Sequence, residues 1–214
     1  MIWSLYNHPG FYDRYMKKLS GWIESYRERE LLQIIDPCID DNDVVLDICC
    51  GTGATSILLG KRYPKAKIIG IDVNSIFLGH AEKKISDLAI GNVSLRELDI
   101  TKCTRENIGE DHIDITICAL GLSVIPEWEK AIDTISSILR PNGYVIVFDL
   151  FIDTHEFTGK ASNFLTTLFF GAHHDRLILN TLKASFTEID TIKIDVKPES
   201  KTTLFIFKGQ KMTK

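Results

Sequence analysis

The segment Val45-Leu46-Asp47-Ile48-Cys49-Cys50-Gly51-Thr52-Gly53-Ala54 constrains this chain more than any other. An apolar run enters two glycines one residue apart, and a helical stretch follows. Glycine adopts backbone conformations closed to other residues and lets main-chain N–H groups approach a ligand with no Cβ between. A strand that ends in such a turn and opens a helix offers the helix N-terminus to an anionic group. The same strand-then-helix rhythm continues. Strand-like runs at 44–49, 67–72, 93–98, 113–119 and 143–150 alternate with helical stretches. Asn74 stands where a helix N-cap belongs. The helical stretch 128–139 meets Pro141-Asn142-Gly143, a stop signal. Strands alternating with helices predict βαβ units and a parallel sheet covered on both faces.

The two ends differ. Residues 11–35 carry Phe11, Tyr12, Tyr15, Met16, Leu19, Trp22, Ile23 and Tyr26 at helical spacing, with Asp13, Arg14, Lys17, Lys18, Glu24, Arg27, Glu28, Arg29 and Glu30 expected on the other face. One or two amphipathic helices ending before Pro37 are expected. At the other end, runs at 186–196 and 201–208 flank Lys197-Pro198-Glu199-Ser200. Four residues are too few for a helical crossover, so these strands must pair antiparallel. The expectation is one α/β domain over residues 1–214. It divides into a helical cap (1–37), a core (40–150), an insertion on the acceptor side (151–185) and a terminal β-hairpin (186–208).

Charge and composition narrow the function. The 25 Lys and Arg against 29 Asp and Glu give a net charge of −4. A mildly acidic chain argues against broad duplex binding, which needs many phosphate-neutralising cations. No apolar run approaches the ~18 residues of a membrane span, so at most peripheral membrane contact is expected. The start MIWSLYNHPG lacks the basic and apolar regions of a secretory signal. Five cysteines without a C-x-x-C make neither a disulfide framework nor a zinc site. A reducing, cytoplasmic setting is the plain expectation, and no metal is expected.

Three strand ends converge on one crevice. Asp72 closes the second run, 21 residues after Gly51, where an acid can accept both hydroxyls of a ribose. Asp99, beside Ile100, closes the third, where a carboxylate can face an adenine amine. The dinucleotide fingerprint G-x-G-x-x-G/A is incomplete, because Ser56 occupies its third place. The Tyr63-x-x-x-Lys67 sequence lies before the second strand, far from that crevice.

With these residues in place, the chain resembles the class I S-adenosylmethionine-dependent methyltransferases. VLDICCGTG is similar to their first motif, D-x-G-x-G-x-G, with Cys49 where the first glycine usually stands and Gly51 and Gly53 matching the others. Asp72 in GIDVNS matches the ribose-binding acid and Asp99 in LDIT the adenine-binding acid. The stretch from Ile113 to Leu150 resembles the fourth-strand to fifth-strand region. Within the class the likeness points to ubiquinone/menaquinone-biosynthesis enzymes and, through Leu122-Ser123-Val124-Ile125-Pro126-Glu127-Trp128, to amino-lipid N-methyltransferases. Phe11-Tyr12-Asp13 resembles both. The resemblance implies a Rossmann-like doubly wound sheet of seven strands, mostly parallel, closed by the antiparallel hairpin. It implies S-adenosyl-L-methionine as cofactor and S-adenosyl-L-homocysteine as product, held by Asp47, Cys49, Cys50, Gly51, Thr52, Gly53, Asp72, Val73, Asn74, Asp99, Ile100, Ala119 and Leu120.

The implied reaction is a direct SN2 methyl transfer to a small-molecule or lipid-like acceptor. Alignment and desolvation can carry much of it, and a base is needed only if the acceptor must lose a proton. No obligatory catalytic residue is therefore expected; Tyr12, Tyr15, His173 and His174 are the candidates. An aromatic beside a sulfonium is favoured by cation–π attraction. Arg27 or Arg29 is the candidate for the cofactor carboxylate. Aminocarboxypropyl transfer from the same cofactor and non-catalytic cofactor binding are the rival readings.

Overall fold

The computed structural model describes residues 8–19, 21–155, 157–197 and 202–212. Seven strands form one sheet: β1 Val44–Ile48, β2 Lys67–Asp72, β3 Val93–Glu97, β4 Ile113–Ala119, β5 Leu139–Ile152, β6 Thr187–Lys197 and β7 Thr202–Gln210. Their order is β3-β2-β1-β4-β5-β7-β6. The first five are parallel, and β7 pairs antiparallel with both β5 and β6. This is the doubly wound arrangement expected, with the hairpin at one edge. The residues expected to join its two strands, Pro198 to Ser200, lie outside the described residues. Nine helices are described: α1 Pro9–Leu19, α2 Gly21–Tyr26, α3 Leu32–Ile35, α4 Ala54–Arg62, α5 Ser75–Asp87, α6 Arg105–Ile108, α7 Trp128–Ile138, α8 Phe157–Phe170 and α9 Ile178–Ser185. A π-helical turn, Arg27–Leu31, joins α2 to α3.

Period-two alternation sorts the sheet side chains onto two cores. Leu46, Ile48, Ile69, Ile71, Val145, Val147, Phe205 and Phe207 pack with α7 and α9 on one face. Val45, Ile68, Ile115, Ile117, Ile146, Phe148, Leu204 and Ile206 pack with Ile23, Leu31, Ile34, Ile35 and Leu59 on the other. Every residue of β1 is buried, as a central parallel strand requires. The Cα register pairs Ile48 with Ile71 and with Cys118, so the first, second and fourth strand ends stand side by side.

Two local expectations change. The helix before the fifth strand ends at Ile138, and β5 begins at once at Leu139 rather than at Gly143. Pro141-Asn142-Gly143 forms a bulge within the strand, with Asn142 in the left-handed region at φ 61 and the register slipping between Ile113 and Ile115. The apolar N-terminal stripe is also incomplete on the inside: Phe11 is 56% exposed, while Met16 and Ile23 face inward.

Buried Asp114 ties the entry to the sheet. Its Oδ2 accepts the Val44 N–H at 2.7 Å, and its Oδ1 accepts Arg140 Nε. Replacing it with alanine leaves a buried N–H and a guanidinium without their acceptor. Asp114→Ala is expected to lose about 1–3 kcal/mol of stability, measured as a lower urea midpoint with an unchanged slope.

Candidate functional site

At the carboxyl ends of β1, β2 and β4 a cavity of about 960 Å³ opens beneath α1 and α2. That is the crevice where open α/β sheets place ligands. Its floor is the turn after β1. Cys49 and Gly51 hold left-handed φ values of 56 and 55, and Gly53 caps α4 at φ 79. At Gly53 a Cβ would come within 2.9 Å of the Ala81 Cβ, so only glycine lets α4 and α5 approach here. Cys49 adopts the left-handed conformation despite its Cβ, a strained position for a non-glycine residue.

Asp72 at the end of β2 joins two neighbouring segments. Its Oδ2 accepts the Gly51 N–H and its Oδ1 the Asn74 N–H, both at 2.9 Å. Burial raises its pKa, and the N–H groups of Asn74, Gly51 and Val73 oppose the rise. Asn74 in turn caps α5, its Oδ1 accepting from Ile76 and Phe77 N–H. Asp99 stands at the cavity edge and caps a short 3-10 turn, accepting from Thr101 N–H and Oγ. Its other oxygen meets exposed Lys102 at 3.0 Å. Burial works to raise its pKa, but bonds from Thr101 and Lys102 hold it below the ordinary carboxylate value.

Asp13 latches the cap to this floor. Asp13 on α1 accepts from Thr52 Oγ1 at 2.6 Å; its Oδ2 lies 3.0 Å from Lys84 Nζ and 3.1 Å from His80 Nε2. Lys84 also donates to the Thr52 carbonyl at 2.8 Å. Tyr12 beside it lines the cavity, its ring centroid 5.1 Å from that of Phe77, and burial raises its hydroxyl pKa. From the π-helical turn comes Arg27. It is 6% exposed, lines the cavity and donates Nη1 to Glu24 at 3.1 Å, while its Nε is buried without an acceptor. Leu120, Val124, Ile125, Pro126 and Met16 supply an apolar stretch of wall.

The profile of the family described as "Methyltransferase domain" matches residues 39–196. This chain belongs to that methyltransferase-domain family. It is 30% identical over 110 residues to the demethylmenaquinone methyltransferase of Lactobacillus johnsonii, an alignment covering 50% of this chain and 43% of that enzyme. The chain therefore spans less than half the length of this curated relative. Among solved structures, the N-methyltransferase NodS of Bradyrhizobium japonicum with bound S-adenosyl-L-homocysteine superposes at TM-score 0.67 and 17% identity, covering 89% of this chain and 88% of that one. The [4+2]-cyclase SpnF superposes at TM-score 0.71 and 15% identity, covering 87% and 81%. These two show the fold of the methyltransferase-family chain.

Of the residues expected to hold a cofactor, Cys49, Cys50, Gly51, Thr52, Asp72, Val73, Asn74, Asp99, Ile100, Ala119 and Leu120 line the cavity. Gly53 lies behind the turn. So does Asp47: alternation along β1 sends it to the α4 side, where it is 1% exposed and accepts from Ser56 Oγ at 2.5 Å. Tyr12 lines the cavity; the Tyr15 side chain lies outside the described residues. His173 and His174 do not reach the cavity. His173 is exposed, and buried His174 faces Asp149 at 3.9 Å. The insertion expected on the acceptor side contributes Gly171 alone to the described wall. Of the two arginines, Arg27 lines the cavity, while exposed Arg29 pairs with Glu30 and lies over Tyr26. Asp13, expected on the solvent face of the cap, faces the site instead. Neither it nor Lys84 carries a local sequence signal, because their partners are 39 and 71 residues away.

Two outcomes follow from this geometry. Asp13→Ala is expected to speed amide hydrogen exchange across α1 by roughly tenfold or more, given about 1.5–3 kcal/mol for a charge-assisted bond. Unchanged exchange would show that the latch does not hold the cap. Burial drives the Asp47 carboxyl up to about 7. An acid whose folded pKa exceeds its unfolded value binds more protons when folded, so stability is lost as pH rises from about 4 to 7. Asp47→Asn removes that loss. Between pH 5 and pH 8 the parent should lose roughly 3 kcal/mol more than the variant in urea unfolding.

Proposed function

We propose that this chain binds S-adenosyl-L-methionine in the cavity and transfers its methyl group to a small, lipid-like acceptor, releasing S-adenosyl-L-homocysteine. The observation that carries the reading is Arg27: a guanidinium on the wall of the same cavity that Asp72 and Asp99 line, with Nη1 held by Glu24. Its planar fork suits an amino-acid carboxylate. The other residues fit the same group. Asp72 presents a carboxylate anchored through two N–H bonds, suited to a ribose diol. Asp99 and Ile100 offer an edge for an adenine. The cavity volume lies at the upper end of the roughly 300–1,000 Å³ usual for small-molecule sites, leaving room for an acceptor beside the cofactor.

When bound, the cofactor supplies a methyl group activated by a sulfonium. The chain supplies position and dryness. Tyr12, packed on Phe77, presents an aromatic surface suited to a cationic sulfur. The latch through Asp13 holds α1 over the site, and alignment under such a cover can contribute roughly 7–11 kcal/mol. The apolar wall of Leu120, Val124, Ile125 and Pro126 suits a lipid-like acceptor, in keeping with the quinone substrate named for the Lactobacillus relative. No histidine is among the described lining residues; Glu28 and Glu127, which also line the cavity, are carboxylates to which an acceptor that must shed a proton could turn. Five unpaired cysteines fit a cytoplasmic setting.

Because a cyclase shares this fold, reaction type rests on the site and its products. Calorimetry should show binding of S-adenosyl-L-methionine that weakens roughly 10–150-fold in Arg27→Ala and in Asp72→Ala, the equivalent of about 1.5–3 kcal/mol for each charge-assisted bond. Unaltered affinity in both variants would remove the cofactor from this cavity. With a panel of quinone and amino-lipid acceptors, S-adenosyl-L-homocysteine is the expected product. Methylthioadenosine would instead establish aminocarboxypropyl transfer.

A further inference from the structure

Helix α8 is built with its polar side toward the protein. Asn163 Oδ1 accepts the His174 N–H at 3.1 Å, and Thr167 Oγ1 donates to the Ala172 carbonyl at 2.9 Å. Its described large apolar side chains point outward. Phe157 is 83% exposed, Phe164 65%, Leu165 51% and Leu168 38%, and Ala161 is exposed with them. The spacing i, i+4, i+7, i+8, i+11 puts all five on one stripe. None of the described side chains of α8 joins either core. A surface helix of a water-bathed protein normally has the opposite orientation, and a contiguous exposed apolar patch marks an interaction surface.

Two observations say what covers it. The first is charge. In a chain of net charge −4, α8 contains no Asp or Glu, and its single charge is Lys160. Lys160 borders the stripe, three residues after Phe157 and four before Phe164. An α8 from a second copy would bring no carboxylate to meet it, whereas a phospholipid headgroup brings a phosphate. The second is position. Gly171, the residue after α8, lines the cavity, so whatever surface α8 rests on lies beside the wall of the site. At 14 residues and about 1.5 Å per residue, α8 is too short to cross a bilayer and suited to lying in its surface.

We infer that α8 docks this protein on a phospholipid bilayer, with Phe157, Phe164, Leu165 and Leu168 in the headgroup–acyl boundary and Lys160 at the phosphates. This rests on the lipid-like acceptor proposed above, which such docking would deliver from the membrane directly to the cavity. The test is co-sedimentation of the full chain with vesicles of phosphatidylcholine and phosphatidylglycerol, alongside phosphatidylcholine alone. The parent should bind the mixed vesicles. The double variant Phe164→Glu, Leu168→Glu should lose binding about tenfold or more, and Lys160→Glu should weaken binding to the anionic vesicles more than to the neutral ones. Calorimetric affinity for S-adenosyl-L-methionine should match the parent in all variants, which reports an intact fold. Parent protein that stays in the supernatant overturns the inference, as does double-variant binding equal to the parent. Dimerisation in light scattering that the double variant abolishes, without vesicle binding, assigns the stripe to a second copy and also overturns it. Vesicle binding in a protein that fails to bind the cofactor would leave the docking surface standing and sink the proposed activity.

Discussion

The carboxylate of Asp72 carries the organisation of the site. It is fixed at the end of β2, yet it receives the N–H of Gly51 from the turn after β1 and that of Asn74 from the start of α5. One half-buried acid thus ties together two strand ends and the turn between them. Desolvation penalises such a group, and its surrounding N–H donors offset part of that penalty. The turn then forms the floor, α5 starts in register to present Lys84, and Lys84 and Thr52 together receive the cap through Asp13.

The structure tolerates two local disagreements around this centre. Cys49 takes a left-handed conformation that glycine would adopt without strain, and Asp47 is held in the interior with its pKa near neutral. Both lie in the same short segment. Gly121 explains part of the first: a Cβ there would come within 2.9 Å of the Cys49 Cβ and 2.6 Å of the Cys118 Sγ. The side chain at position 49 therefore fits only because position 121 has none. Strain confined to a ligand-facing turn is where such departures are expected.

What the sequence revealed was the local part of this design. The glycine turn, the Asn74 cap, Asp72 and the antiparallel edge each depend on residues within one unit of chain, and each stands where expected. What it concealed depends on distant contact. Asp13 read as a solvated acid because its neighbours on α1 are charged; its partners come from the glycine turn and α5. Arg27 could not be separated from Arg29 until the π-helical turn placed one inward. The stripe on α8 would pass for core by its spacing alone. Only the tertiary structure shows that Asn163 and Thr167 occupy the inner side. His173 and His174 looked chemical as a pair, but adjacent side chains diverge, and here one is exposed and the other buried against Asp149.

The π-helical turn at Arg27–Leu31 lets chain length and facing be set separately. It accommodates one more residue than an ordinary α-helical turn would over the same rise. An extra residue in a regular helix would rotate everything before it by about 100° relative to α3; taken up as a π turn, it leaves the helix before it close to its original facing. The added residue is absorbed inside the turn itself, where Arg27 and Glu28 both line the cavity. The hydrophobic anchors Ile34 and Ile35 stay in the core, so the wall of the site can vary by one residue without disturbing the packing on either side of it.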